Sequence, residues 1–410
     1  PAFVELKKLF DPGNILNPGR IVGNDPGLTG KNLKFGGEYR HVSTGSAFDG
    51  ESLSAEVEAC HGCGKCRSYC PLAMETNEET YLGRAKASLL RELISGNLDP
   101  QTFMASDELK KIMEGCVNCK RCLTECPTGV DIPWVALQAR AHHVKTKGQS
   151  FKDRFIADTH LACRVRNTLA PLVNLAFSIG SGRALVESAI GLDRRRKMPR
   201  FSSRTFREIY KGSEKGNGKV AYFLSCFANY NDPEGEGRAV VEVLERNGFG
   251  VEVPEFDCCG IARISSGGLG RALKGVEENV DRLSALAEKG IPVVFSEPSC
   301  ALAVKQEYPR IGNTEKASRA AAGCHEIHGF LTQLKQEEKL NTRFGEIPLK
   351  VAYHNPCHLR ALGISNEVVE LLKLIPGLRV QALGDRCCGL AGTFGMKKQN
   401  LPSDRWIERF

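Results

Sequence analysis

The sequence predicts an α+β multidomain chain: a helical domain built around two cysteine runs, then a duplicated α/β domain of parallel βαβ units. Three observations carry this. The spacing C-x2-C-x2-C-x3-C-P occurs twice within residues 55–147, with helix-period sequence between the two copies. From Lys219 onward, short apolar runs alternate with helix-length segments, the signature of βαβ units and a parallel sheet. A vicinal Cys-Cys-Gly occurs twice in that region, at matching distances from a preceding single cysteine.

Size and composition agree. The 410 residues suffice for two or three domains with their own cores, and 41% hydrophobic with 25% charged residues is ordinary for a globular chain. No uninterrupted apolar run reaches eighteen residues. The nearest, Leu169 to Ile190, is broken by Asn174, Gly180, Gly182, Arg183 and Glu187 and reads as an amphipathic helical hairpin. The net charge of +8 is spread out, apart from Arg194, Arg195, Arg196, Lys197 and Arg200, with Arg204 and Arg207 beyond. That stretch reads as a solvated linker face, with anionic lipid or an acidic partner patch as the sharper alternatives. Nucleic acid is excluded as a partner, because no aromatic interleaving or recognition module accompanies the charge. Seventeen cysteines in metal-ligand spacing must stay reduced, which points to a cytoplasmic location. The chain opens on Pro1, so a preceding segment is expected to be missing.

Elements follow in order. Residues 1–22 hold a helix over Phe3 to Phe10 and the turns Asp11–Pro12–Gly13 and Asn17–Pro18–Gly19, and residues 23–54 are a Gly-rich linker. In the helical domain, 55–147, the segment Tyr81 to Ile94 repeats apolar Leu82, Ala85, Leu89, Leu90 and Leu93 with helical period. A helical, then basic, connector spans 148–218. The α/β domain, 219–410, opens with a strand at Val220–Leu224 and a helix at Arg238–Arg246. A strand at Val251–Val253, a helix at Ala272–Glu288 and a strand at Ile291–Phe295 follow. The pattern partly recurs as a strand at Lys350–Tyr353, a helix at Glu367–Ile375 and a strand at Arg379–Leu383.

The two cysteine runs define the chemistry. CHGCGKCRSYCP places Cys60, Cys63, Cys66 and Cys70; CVNCKRCLTECP places Cys116, Cys119, Cys122 and Cys126. A tight loop wraps three thiolates around three corners of an iron–sulfur cube, and the fourth starts a helix leading away from it. In two-cluster ferredoxins that fourth cysteine ligates the other cluster. The expected sets are Cys60, Cys63, Cys66 and Cys126 on one [4Fe-4S] cluster, and Cys116, Cys119, Cys122 and Cys70 on the other. Pro71 and Pro127 end each loop and seat the next helix. Zinc is a poor alternative, since its sites use paired C-x2-C knuckles and not triplets. With every position filled, the clusters carry electrons and make no bonds.

The α/β region carries Cys226, then Cys258–Cys259–Gly260 after 31 residues, then Cys300; its second half carries Cys357, then Cys387–Cys388–Gly389 after 29. Each falls just after a predicted strand, and ligands gather at the carboxyl ends of parallel strands. Both halves are thus expected to send cysteines to one edge, with Gly260 and Gly389 permitting close backbone approach. A further metal or redox centre is one reading; buried structural cysteines or a single redox disulfide are the other. His354 and His358 flank Cys357 as candidate ligands or proton donors, although a hydrogen-bonded packing role suits either alone. Cys163 and Cys324 fit no pattern and read as ordinary buried cysteines.

These residues resemble a known family. The Cys-Cys-Gly (CCG) modules are similar to the cysteine-rich domain in the B subunit of heterodisulfide reductase. Ferredoxin runs followed by two such modules resemble the glycolate oxidase iron–sulfur subunit and the C subunit of anaerobic glycerol-3-phosphate dehydrogenase. KLFDPGNILNPGRI, Lys8 to Ile21, resembles the C-terminal end of an FAD-linked oxidase cap domain, making residues 1–22 the tail of a flavin domain. The resemblance implies an α-helical two-cluster ferredoxin domain followed by a duplicated CCG domain. It further implies FAD on a missing N-terminal portion and a flavin domain, fused or separate, as partner. Two departures stand out. Cys300–Ala301–Leu302–Ala303 lacks the second cysteine of the family's C-x-x-C, and the second module ends at Phe410 before a closing cysteine. Leu401 to Phe410 no longer resembles the family.

The implied function is the iron–sulfur part of a flavin-dependent oxidoreductase of D-2-hydroxy acids such as D-lactate, glycolate or 2-hydroxyglutarate. Electrons would pass from FAD through two clusters to a quinone or carrier protein, with at most peripheral membrane contact at the inner face. Without the flavin domain the chain is not expected to oxidise substrate. The alternatives are a stand-alone subunit docking to a separate flavoprotein, a thiol–disulfide reductase of the heterodisulfide type, and a cluster-based sensor. The last lacks any visible DNA-binding module.

Overall fold

The computed structural model describes all residues except 1, 21, 24, 29, 32–34, 159, 161–162, 164–168, 214–215, 217, 385–386, 391–393 and 401–410. The departure noted at Leu401 to Phe410 and the last residue of the FDP…LNPG segment lie outside the described residues.

The chain opens with a helix, Ala2–Phe10, none of whose residues is buried. Asp11 shapes the turn after it: its carboxylate accepts the backbone N–H groups of Ile15 and Leu16, both at 2.8 Å, and pairs with Lys7. The helical domain packs Glu51–Glu58, Gly83–Ile94, Asp107–Glu114 and Ile132–Lys147 around Val57, Leu90, Leu93, Met113, Val135 and Ala136. Side-chain caps start two of these helices, Ser106 accepting from Leu109 N–H and Asp131 from Trp134 N–H. Tyr81 stands outside the expected helix, in a single 3-10 turn at Glu79–Tyr81; the helix proper begins at Gly83.

In the α/β domain, strands β1 (Gly218–Phe223), β2 (Phe249–Glu252), β3 (Val293–Phe295) and β4 (Cys324–Glu326) form one parallel sheet in the order β2-β1-β3-β4. Alternate residues of β1 feed opposite layers. Val220 and Tyr222 meet Val240, Leu244, Ile327 and Phe330; Ala221 and Phe223 meet Val276, Val280, Phe295 and Tyr308. Leu137 of the helical domain enters the second of these cores. β4 was not expected, because Cys-His-Glu carries no apolar run to mark it.

Strands β5 (Lys350–Tyr353) and β6 (Arg379–Ala382) pair in parallel as a separate sheet whose residues are half-buried or exposed. The two halves share parallel pairing, but their sheets hold four strands and two.

In the connector, helices Ala170–Ser178 and Gly180–Ile190 form the expected hairpin and leave Leu172, Leu175, Ile179 and Leu185 exposed. The basic stretch behind them is partly engaged. Asp193 holds Arg195 through Nε and Nη2 at 3.0 and 2.9 Å, and Arg196 Nε donates to the Gly395 carbonyl at 3.1 Å.

Candidate metal centres

The two ligand loops share one backbone geometry built from different residues. In the first, Gly62 and Gly64 take φ of +70° and +78°; at the equivalent positions of the second, Asn118 and Lys120 take +53° and +58°. This left-handed step turns successive thiols inward. It suits glycine and costs a side-chain-bearing residue roughly 1 kcal/mol or more. Gly83 serves the same region: a Cβ there would lie 3.3 Å from Ile132 and 3.6 Å from the Cys66 sulfur.

Cys60, Cys63, Cys66 and Cys126 line one small cavity, together with Cys122. Burial pushes the Cys60 thiol up, and the neighbouring Cys66 and Cys126 add to this. At Cys126 burial works the other way from its hydrogen bonds. The Thr128 hydroxyl and the N–H groups of Val130, Thr128 and Gly129 prevail and lower it.

Cys70 and Cys116 interact with each other, and with Cys119 and Cys122. Burial dominates in this second group, pushing Cys119 up to about 12 and raising Cys122 well above an ordinary thiol. Each fourth cysteine therefore lies beside the three thiols of the other run.

The second group sits among buried cations. Lys86, only 1% exposed, faces Cys116, Cys70 and Cys122; burial lowers its pKa and those thiolates oppose the shift. Arg140 donates to the Cys116 carbonyl at 3.1 Å and leaves Nε and Nη2 buried without a hydrogen-bond partner. Asn118, within the loop, has both side-chain polar atoms in the same condition. An ammonium or guanidinium removed from water costs several kcal/mol unless an anion answers it. Four thiolates around an iron–sulfur core are such an anion, so these residues fit a [4Fe-4S] cluster.

In the α/β domain, Cys226 begins the helix Cys226–Tyr230 just after β1, and its Sγ lies 3.7 Å from that of Cys258. The Cys-Cys-Gly loop is anchored from below. Asn279 bonds both the N–H and the carbonyl of Asp257, at 2.8 and 3.1 Å, and the Tyr308 hydroxyl donates to the Cys259 carbonyl at 3.1 Å. Gly260 (φ +74°) points its N–H at Cys258. Hydrogen bonds from Cys226 and Cys259 hold Cys258 well below an ordinary thiol, while Cys226 and Cys259 are pushed up. Cys300 completes the group through Cys259. A side chain the sequence did not single out joins them: His160 Nδ1 lies 3.7 Å from Cys226 Sγ. All five face a cavity of about 470 Å³ that also meets Arg207, Arg263 and Arg271.

The second module gathers elsewhere. Cys357 starts the helix Cys357–Ala361, and burial with the neighbouring Cys388 pushes its thiol up to about 11. Cys387 interacts with Cys388, and both Cys357 and Cys387 interact with Cys119 of the second ferredoxin run. The seven cysteines expected at one edge thus fall into two groups, one around Cys226 and Cys258 and one beside Cys119. His358, half-buried, ties the regions together: Nε2 donates to the Asn118 carbonyl at 3.0 Å and Nδ1 accepts from Ser299 Oγ at 2.9 Å. His354 is half-buried. Cys324 is a core thiol donating to the Ala320 carbonyl, whereas Cys163 is buried but lies near Cys226.

The buried cations and His160 carried no sequence signal, since lone lysines, arginines and histidines have no spacing to read. Among the described residues no helix is long and apolar enough to cross a membrane.

Comparison with known proteins agrees with the chemistry of these groups. The 4Fe-4S dicluster domain family matches residues 56–130, and the cysteine-rich domain family matches 220–305 and 351–406. The chain is 34% identical over 287 residues to the C subunit of anaerobic glycerol-3-phosphate dehydrogenase from Escherichia coli (strain K12), covering 68% of this chain and 72% of that one. It is 26% identical over 351 residues to the B subunit of fumarate reductase (CoM/CoB) from Methanothermobacter marburgensis, covering 82% and 59%. With lactate utilization protein A of Halalkalibacterium halodurans it shares 34% identity over 188 residues, covering 44% and 73%. No solved structure matches. The chain is an iron–sulfur electron-transfer protein belonging to the family of the anaerobic glycerol-3-phosphate dehydrogenase C subunit, with a 4Fe-4S dicluster domain followed by a cysteine-rich domain.

Proposed function

We propose that the chain relays electrons from a flavin, through two [4Fe-4S] clusters, to a quinone or carrier protein that meets the cysteine-rich domain. In this reading Cys60, Cys63, Cys66 and Cys126 hold one cluster and Cys116, Cys119, Cys122 and Cys70 the other. When bound, the clusters take and release single electrons, which divides a two-electron oxidation into two steps. The observation that carries the reading is the 3.0 Å hydrogen bond from His358, next to Cys357, to the carbonyl of Asn118, next to Cys119, with the charges of Cys357 and Cys387 each felt at Cys119. It sets the second ferredoxin group against the domain proposed as the exit. Lys86 and Arg140 supply that group with positive charge, and the burial of Cys119 limits its access to water.

The reaction served is the oxidation of a D-2-hydroxy acid on an FAD domain, fused or separate. The resemblance at Lys8–Ile21 supports this, as does the helix before it, where Phe3, Leu6, Leu9 and Phe10 stand 53–74% exposed. Apolar surface of this kind is usually covered by a partner. A stand-alone subunit bound to a separate flavoprotein is the second reading, favoured by the relative named as a subunit of a dehydrogenase. The two cysteine-rich halves act as copies of one βαβ module, each offering thiols for a further centre. Exposed Leu172, Leu175, Ile179 and Leu185 on the connector hairpin support peripheral contact with a membrane's cytoplasmic face.

Anaerobic reconstitution followed by iron and sulfide analysis and EPR of the dithionite-reduced protein tests the relay. About eight irons with the coupled signal of two neighbouring cubanes is the expected result. A single uncoupled cluster would overturn it. Flavin-free chain is expected to leave a dye unreduced in the presence of D-lactate.

A further inference from the structure

We propose that Phe394–Asn400 is a strap that keeps water from the second ferredoxin group, with Phe394 as the positioning residue that seats it. The strap matters on the reading that Cys70, Cys116, Cys119 and Cys122 hold a cluster, whose outer side it closes.

Tyr81 forms a wall beside that group. Its carbonyl lies 3.5 Å from Cys70 Sγ, and its ring occupies the space over Gly115, where any Cβ would overlap it. Gly115 directly precedes Cys116, so one side chain borders the surroundings of both cysteines. Behind the wall, Tyr81 and Phe394 pack against buried Leu72, two residues past Cys70. This small apolar group stands apart from the main core of the helical domain. Between the strap and the cysteines lies a cavity of about 60 Å³, lined by Cys116, Arg140, Phe394, Lys397 and Asn400 among others. It has room for a few waters and no more.

Two parts of the chain fasten the strap. At the second Cys-Cys-Gly loop, the Gly395 N–H donates to the Leu390 carbonyl at 2.9 Å. A Cβ on Gly395 would overlap the Gly389 carbonyl, so glycine alone lets the strap lie against that loop. On the connector, the Asp193 N–H donates to the Met396 carbonyl at 2.9 Å, and the Lys398 N–H donates to the Gly191 carbonyl at 3.0 Å. Lys398 Nζ also reaches Glu187 Oε1 at 2.8 Å, and Lys397 pairs with Asp153. Burial works against the Asp153 charge, but Lys397 outweighs it and holds that carboxyl below its ordinary range. Polar links thus hold most of the strap, and half-buried Phe394 is its apolar anchor on the helical domain. A segment held in this way opens at lower cost than a packed core. Opening would admit water, which favours the more negatively charged reduced form of a cluster and raises its potential.

The full chain, reconstituted anaerobically with both cubanes, is titrated by EPR-monitored reduction. Phe394→Ala should raise the potential of one cluster, the same one that Lys86→Met moves. The expected change is about tenfold in its reduction equilibrium, or about 59 mV for one electron. The other cluster's unmoved potential reports an intact fold. Lys397→Gln should shift the same cluster in the same direction, and Lys397→Arg should restore it. Trypsin with mass spectrometry reads the strap without reference to potentials: cutting after Lys398 should be slow in the parent and several-fold faster in Phe394→Ala. Equal shifts in both clusters, no shift in either variant, or unchanged cutting in Phe394→Ala would overturn the strap while leaving the relay standing. A parent protein whose iron content shows no second cubane would overturn the relay, and the sealing role with it.

Discussion

Lys120 Nζ lies 3.0 Å from Glu307 Oε1, and both side chains are buried to within 1% of complete enclosure. The lysine belongs to the second ligand loop and the glutamate to the α/β domain. Asp131 stands 3.3 Å from the same ammonium and pairs in turn with Arg310, whose guanidinium lies over the Trp134 ring. Burial works against the Lys120 charge, but Glu307 and Asp131 outweigh it and raise its pKa. Stability from this source is present below the ordinary lysine pKa and is lost only as pH climbs through the raised value. A left-handed backbone at Lys120, unfavourable for a side-chain-bearing residue, is thereby held in place by its own charge.

Removing one member of such a pair strands the other. Glu307→Leu is expected to lower unfolding stability by about 3 kcal/mol, while Lys120→Met combined with Glu307→Leu recovers part of the loss. Urea unfolding of the reconstituted protein measures both. A double variant no better than the single one would show that the pair is not coupled.

Lys86 places a charge against Cys70, Cys116 and Cys122. Lys86→Met should lower the midpoint potential of one cluster by tens of millivolts, where about 59 mV is tenfold for one electron, and leave the other unmoved. EPR-monitored redox titration reads this directly; equal shifts in both clusters would contradict it.

Crossed ligation by the fourth cysteines, as proposed, would make pairs of substitutions unequal. Cys126→Ser with Cys63→Ser damages a single group and should leave about four irons, whereas Cys126→Ser with Cys119→Ser damages both groups and should leave few. Iron analysis after identical reconstitution separates the outcomes. The reverse order, few irons with Cys63→Ser and about four with Cys119→Ser, would show that each run holds its own fourth ligand.

Glu297, three residues before Cys300, is pushed up to about 7, by burial first and then by Glu236. Its folded pKa exceeds its unfolded one, so the folded state binds the extra proton and stability falls as pH rises from about 4.5 to about 7. The loss is on the order of 3 kcal/mol. Glu297→Gln should flatten this part of the thermal stability–pH profile and raise the melting temperature at pH 8. A profile unchanged by the substitution would place the titration elsewhere.

Much of this was legible from residue order. The cysteine runs could be read because three thiols on one loop require fixed spacing, and β1, β5 and β6 because apolar runs bounded by turns have few other uses. The helix Arg238–Arg246 begins and ends where its periodicity does. What escaped were features made by distant residues meeting. β4 is a strand only because Val293–Phe295 offers it an edge, and its central His325 gives no apolar signal. The split of the Cys-Cys-Gly thiols depends on how the helical domain lies against each module, which spacing within a module does not encode. His160 reaches Cys226 from 66 residues away.

His358 has a mechanical meaning as well as a chemical one. One imidazole grips the Asn118 carbonyl and the Ser299 hydroxyl, close to where Lys120 meets Glu307 and Asp131 meets Arg310. Three polar links cross one seam, the one between Lys120 and Glu307 fully buried, and they oppose a hinge there. A carrier that swings its redox group between donor and acceptor needs such a hinge, so these links suit the proposed relay to a fixed wire. Its speed is then set by distances already built into the resting molecule, and it is the donor and acceptor that must come and go.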